Sequence, residues 1–261
     1  MLKKRSRTNF EISSNLPNQI KDVYEKNPMA MFSNHLFRAS ITMSRLEGIS
    51  KENFEIAEGV DQSGIENVID YSLEMLSQMN NHLPTLSRPS ILINVLSSIQ
   101  YIRLNAGNLK VLCIGPRTEA EFFHFIGEGF AGENLTGLDL MSYSEFVDVG
   151  DMHHMPYEDD TFDIVFVGWT LTYSKDLQRV ADECLRVAKP GAYVAIGVES
   201  NGKITKGTQY GFTLTDAINI METSEITDLF EGHIHNVPFR HEAHRSMRDS
   251  LDMVMVIIEL K

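Results

Sequence analysis

Two cysteines, one tryptophan and no apolar run near the roughly 18 residues that cross a bilayer narrow what this 261-residue chain can be. Cys113 and Cys184 fall inside a predicted strand and a predicted helix. They read as buried thiols of a reducing compartment and not as a disulfide framework. Cationic side chains are in deficit, 23 against 36 acidic ones, for a formal net charge of −13. A polyanion is repelled by that field, so nucleic acid is not an expected partner. The basic stretch MLKKRSR is the exception and reads as a solvated tail. Polar TNFEISSN follows it, where a secretory signal needs an apolar segment, so the chain is expected to be cytoplasmic. There is no G-x-S-x-G elbow, no Walker loop, no zinc-type cysteine pattern and no internal repeat.

What is present divides into two textures. Residues 1–108 read as helical, with candidates at Asn18–Lys26, Met29–Arg45, Asp61–Asn80 and Pro89–Arg103. From Leu109 the period changes. KVLCIG, NLTGLDL, FDIVFVGW and AYVAIGV are short apolar runs that read as buried strands, with helices at Ala120–Gly129, Lys175–Ala188 and Thr213–Phe230 between or after them. HIHNVPF and DMVMVIIEL close the chain as two further strands with a short connection, an antiparallel pair. The expected fold is α/β: a Rossmann-like open sheet over 109–261, mostly parallel with an antiparallel C-terminal strand, plus the helical region 1–108.

In such a sheet, ligands bind beyond the carboxyl ends of the strands. Those ends are Gly115, Asp139 and Gly168-Trp169. Asp139 lies 24 residues after Gly115, where a carboxylate can accept two hydrogen bonds from a ribose diol; its plainer reading is an acidic strand cap. Asp151, with Met152 and Met155, offers an anionic acceptor beside apolar surface, a combination that suits an adenine. His153 and His154 are candidates for a general base, although sequence neighbours point different ways. Trp169, Tyr173 and Tyr210 are acceptor-site aromatics or core. His233 and His235 would share a strand face, and His241 and His244 a helix face. The HEAH spacing is not that of a zinc protease, and no metal is expected.

The order VLCIG, LTGLDL, VGDMHHMPYEDDTFDIVFVGWTL, LQRVADECLRVAKPGAYVAIGV resembles the class I S-adenosylmethionine-dependent methyltransferases, over about Leu109 to Ser200 plus the closing strand pair. The resemblance implies a seven-stranded sheet, S-adenosylmethionine as cofactor, and contacts to it at Gly115, Asp139, Asp151 and Met152. It also places Gly168 and Trp169 near cofactor and acceptor. Two departures stand out. The family has an acid where Cys113 sits and glycines where Arg117 and Glu119 sit, and Pro116 removes a donor from the turn. Arg117 is therefore expected to pair with the carboxylate of the cofactor's methionine end and Glu119 with its ammonium. Thr118 and Glu121 fit a capping box for the following helix. Second, only Met141–Ser144 separates Asp139 from FVDV, too little for a crossover helix. FVDV is a rudimentary edge strand or plain extended chain, and region 1–108 is the candidate lid or acceptor-binding element. The expected activity is methyl transfer to a small polar acceptor, such as a sugar or glycan intermediate, with a homodimer left open. Two alternatives stand beside it: a degenerate fold used as an interaction module, and a nucleotide or sugar-nucleotide enzyme.

Overall fold

The computed structural model describes residues 21–22, 25–47, 49, 51–57, 88–201, 218–243 and 251–261. The predicted helix over 61–80, Tyr210, His244 and the starts of the predicted helices over 18–26 and 213–230 lie outside these residues. In chain order the strands are β1 (Glu55–Ile56), β2 (Val111–Ile114), β3 (Leu135–Asp139), β4 (Met141–Ser142), β5 (Val147–Val149), β6 (Phe162–Gly168), β7 (Ala188–Asn201), β8 (Ile234–His241) and β9 (Leu251–Leu260). The α-helices are α1 (His35–Leu46), α2 (Arg88–Ser98), α3 (Gln100–Asn105), α4 (Ala120–Gly127), α5 (Leu177–Val187) and α6 (Thr223–Thr227).

Seven strands form one sheet in the order β5-β3-β2-β6-β7-β9-β8. The first five run parallel, and β9 is antiparallel to both β7 and β8. The strand order reverses between β2 and β6, the switch point at which open α/β sheets bind ligands. β2 is buried throughout and β6 at six of its seven positions, as parallel strands covered on both faces must be. Alternate side chains serve two cores. Leu112, Ile114, Val165 and Val167 meet Val180 and Cys184 of α5 on one face. Val111, Cys113 and Phe166 meet α4 together with Leu92, Ile93 and Leu96 of α2 on the other.

Several helix boundaries differ from the sequence reading for local reasons. The stretch from Met29 breaks into a 3-10 turn, Pro28–Ser33, and α1, because Asn34 caps α1 by accepting the amides of Leu36 and Phe37 at 2.9 and 3.3 Å. The helix expected over 89–103 divides at Ile99, which is extended. Of the helix expected to end at Phe230, only α6 and a 3-10 turn over Asp228–Phe230 are helical among the described residues. His241 ends β8 and is not on a helix. FVDV forms a parallel edge strand, with Gly137 opposite Val147 and Asp139 opposite Val149. Among the described residues no helix covers this connection, and Phe146 stacks on Phe122 of α4 at 5.1 Å.

Candidate functional site

The site is built where the carboxyl ends of β2, β3 and β6 meet. Gly115 leaves β2 with φ of +70°, a conformation that favours glycine, and its amide donates to the Leu138 carbonyl at 2.8 Å. A Cβ at Gly115 would collide with the Thr170 side chain, whose hydroxyl lies 3.1 Å from the Ile114 carbonyl and 3.2 Å from that of Gly168. Thr170 thus ties the ends of β2 and β6 together across the switch point. Pro116 is buried and lies over Gly137 of β3, so the turn's proline serves packing against the sheet.

The turn itself departs from the expected capping box. Thr118 Oγ1 accepts only the Ala120 amide, at 3.3 Å, and Glu119 holds the N-cap position without a side-chain cap. The Glu119 carboxylate is 1% exposed and belongs to the helical region: Arg45 of α1 donates to both its oxygens, through Nε and, at 2.7 Å, through Nη2. The Ser144 hydroxyl adds a third bond at 2.7 Å. The expected ammonium partner is therefore already neutralised, and its part in the fold is to fasten α1 to the turn.

A different carboxyl faces the strand ends. Glu121 is 7% exposed, and its Oε2 has no hydrogen-bond partner among the described residues. Both its oxygens come within 3.4 Å of where a Cβ on Gly168 would project. Burial pushes the Glu121 carboxyl well above the usual range, and the neighbouring Asp139 raises it further while Arg117 opposes. Asp139 sits at the end of β3, where loss of water raises its carboxyl to about 6 against the amides of Leu140 and Met141 and the charge of Arg117. Gly115, Arg117, Glu121, Asp139 and Gly168 thus come together. Glu121 is the member that the sequence reading missed. The signal was there: α4 reads AEFFHFIG, apolar on nearly all sides, and an acid in such a helix is buried.

Asp151 lies on the loop after β5. Its Oδ1 accepts the His153 amide at 2.9 Å and contacts His153 Nδ1 at 2.6 Å; the bond from the ring holds the carboxyl below its ordinary range. His153 Nε2 reaches the buried Ser174 hydroxyl at 2.7 Å, so this ring straps the loop to the start of α5. His154 is exposed beside Arg179. Met152 is half-buried and packs against the first core. Glu183 and Arg186 of α5 hold the rest of the loop: Glu183 accepts the Met155 amide at 2.8 Å and Arg186 donates to the Met155 and Tyr157 carbonyls at 2.9 and 2.7 Å. Trp169 has φ of +61°, lies with its ring over Gly197 of β7, and keeps a buried Nε1 without a partner among the described residues. Tyr173 is half-buried in the 3-10 turn that follows. Among the described residues no histidine, cysteine or acid cluster could hold a metal ion. No described helix is long and apolar enough to cross a membrane.

Residues 127–196 match the family model of a methyltransferase domain. The chain is 41% identical over 64 residues to a demethylmenaquinone methyltransferase of Desulfitobacterium hafniense (strain Y51), 24% of this chain and 25% of that one. It is 32% identical over 102 residues to malonyl-[acyl-carrier protein] O-methyltransferase 1 of Coxiella burnetii (strain RSA 493 / Nine Mile phase I), 37% of this chain and 35% of that one. The matched stretch thus spans a quarter to about a third of these relatives' own lengths. The solved PH0226 protein from Pyrococcus horikoshii OT3 is 15% identical, with a TM-score of 0.49 over 65% of this chain and 88% of that one. Strand order, site position and the matched domain place the chain among proteins with the class I, Rossmann-like S-adenosylmethionine-dependent methyltransferase fold.

Proposed function

We propose that the protein transfers a methyl group from S-adenosylmethionine to a small polar acceptor. The observation that carries this reading is the convergence of Gly115, Asp139 and Gly168 on the switch point of the sheet, with Asp151 on the adjoining loop. The residues suit the cofactor. Asp139 is a half-buried carboxylate at the end of β3, suited to a ribose diol, and Glu121 is a buried carboxyl with one oxygen lacking a partner among the described residues. S-adenosylmethionine, when bound, supplies a methyl group activated on a sulfonium. The rest is positioning by this chain. Asp139 accepts from the ribose hydroxyls. Asp151, held by His153, offers its second oxygen to the adenine amine, and Met152 supplies apolar surface beside it. Arg117 meets the methionine carboxylate. Trp169 and Tyr173 border the side on which a polar acceptor such as a sugar hydroxyl would enter. His153 is turned to Ser174 and His154 to Arg179, so both act as loop ties rather than as the base.

Thr170, seated over Gly115, favours a second reading in which the loop is closed and the fold serves as an interaction module. One calorimetric experiment separates the two. S-adenosylhomocysteine is expected to bind in the micromolar range, a dinucleotide not at all, and Asp139→Ala is expected to abolish binding. Absence of binding to either S-adenosylmethionine or S-adenosylhomocysteine would leave the interaction module.

A further inference from the structure

We propose that Glu121, on helix α4, is the counter-ion for the ammonium group at the methionine end of the cofactor. The inference rests on the methyltransferase reading above. Cys113 is a fully buried thiol on β2, and burial keeps it protonated, so it offers no anion. Glu121 approaches the same strand ends from the opposite element. Its carboxyl is 7% exposed, faces Gly168 across β6, and has an oxygen without any partner among the described residues. A native protein seldom leaves a buried carboxyl oxygen unpaired, since the loss of hydration costs roughly 1–3 kcal/mol, more for a charged group. A cationic ligand group would supply the missing partner.

The charged and titratable groups that face Glu121 among the described residues are Asp139 from β3, Arg117 from the turn and Cys113 from β2. β6 contributes only Gly168 and the Phe166 ring. Two carboxyls beside one cation leave room for a second positive charge. Without it, burial and the neighbouring Asp139 favour the protonated form of Glu121. When the ammonium arrives, the carboxyl ionises, the O–H proton passes to solvent and the carboxylate accepts from the ammonium. Binding is thus coupled to proton release.

The test is calorimetric titration of the full chain with S-adenosylhomocysteine and with 5′-methylthioadenosine, which keeps the nucleoside and lacks the amino-acid end. Each is run at pH 7 in two buffers of different ionisation enthalpy. Wild type is expected to release more protons with S-adenosylhomocysteine than with 5′-methylthioadenosine. Glu121→Gln is isosteric and is expected to weaken S-adenosylhomocysteine at least about tenfold and to abolish the extra proton release. Its affinity for 5′-methylthioadenosine should stay unchanged, which also shows the variant to be folded. Unchanged S-adenosylhomocysteine affinity, or an equal loss for both ligands, overturns the assignment and leaves the methyltransferase reading standing. Failure of wild type to bind either ligand overturns both.

Discussion

Glu121 and His124 lie one turn apart on α4 and titrate in opposite senses. His124 is 2% exposed, meets Asn94 at 2.7 Å, and burial lowers its ring to about 3. The unfolded chain takes up a proton near pH 6.5 that the native ring refuses, so stability is full above that pH and falls as the pH drops towards 3. His124→Gln, which can still meet Asn94, should flatten this acid arm by up to about 1.4 kcal/mol per pH unit in urea unfolding. Glu121 does the reverse. Its raised carboxyl keeps a proton that the unfolded chain has already lost, so its cost appears as the pH rises. The advantage of Glu121→Gln over wild type should therefore grow as the pH rises above the ordinary carboxylate range and vanish on the acid side; a constant difference would mean that Glu121 does not titrate in the native protein. The sequence reading gave Glu121 to a capping box because Thr-x-x-Glu has that spacing. The competing force was burial: with Phe122, Phe123, Phe125 and Ile126 all buried, α4 has no solvent side on which the carboxyl could turn back to its own N-terminus. Asp139 was legible because it is the acid near the end of the apolar run NLTGLDL, 24 residues after Gly115, whereas the partner of Glu119 is 74 residues away and leaves no local mark.

Two elements hold the site in position, each through a carboxylate. On one side α1 is fastened to the β2–α4 turn by Arg45 and Glu119, with Phe32 against Phe123 at 5.3 Å and the amide of Glu119 donating to Tyr143 at 3.3 Å. Arg45 is half-exposed, so its removal is screened by water; Arg45→Ala is expected to cost roughly 1–3 kcal/mol. Combined with Glu119→Gln the loss should be less than additive in a double-mutant cycle, and additivity would show the pair to be idle. On the other side α5 clasps the loop after Asp151 through Glu183 and Arg186. Arg186→Ala leaves Glu183, 5% exposed, with only the Met155 amide and Arg179 at 3.6 Å and frees two carbonyls, a loss of about 2–3 kcal/mol in urea unfolding. These two residues lie in LQRVADECLRVAKPGAYVAIGV, one of the runs that made the sequence look like a methyltransferase. The motif was readable, but its work was not: spacing three apart on a helix says that two side chains share a face, not that they reach back to carbonyls about 30 residues earlier.

Across the whole molecule, most of the sheet could be read from the chain because central parallel strands are continuous apolar runs with few rivals. β2, β6 and the closing pair β8–β9 lie where VLCI, FDIVFVG and the last two runs predicted them. The missing crossover helix was also legible from the seven residues between Asp139 and Val147, although not the aromatic stack of Phe122 on Phe146 that replaces it. What the sequence could not reveal was how the strand ends converge, and the proposed function rests on that convergence. The single tryptophan lies at the centre of it, at the end of β6 with its indole over β7. Intrinsic fluorescence therefore reads the site without a label. Titration with S-adenosylhomocysteine should change the emission of Trp169 saturably in the micromolar range, and an equal concentration of a dinucleotide should leave it unchanged. An emission that stays constant while S-adenosylhomocysteine rises to millimolar, or that responds to the dinucleotide alone, would contradict the account.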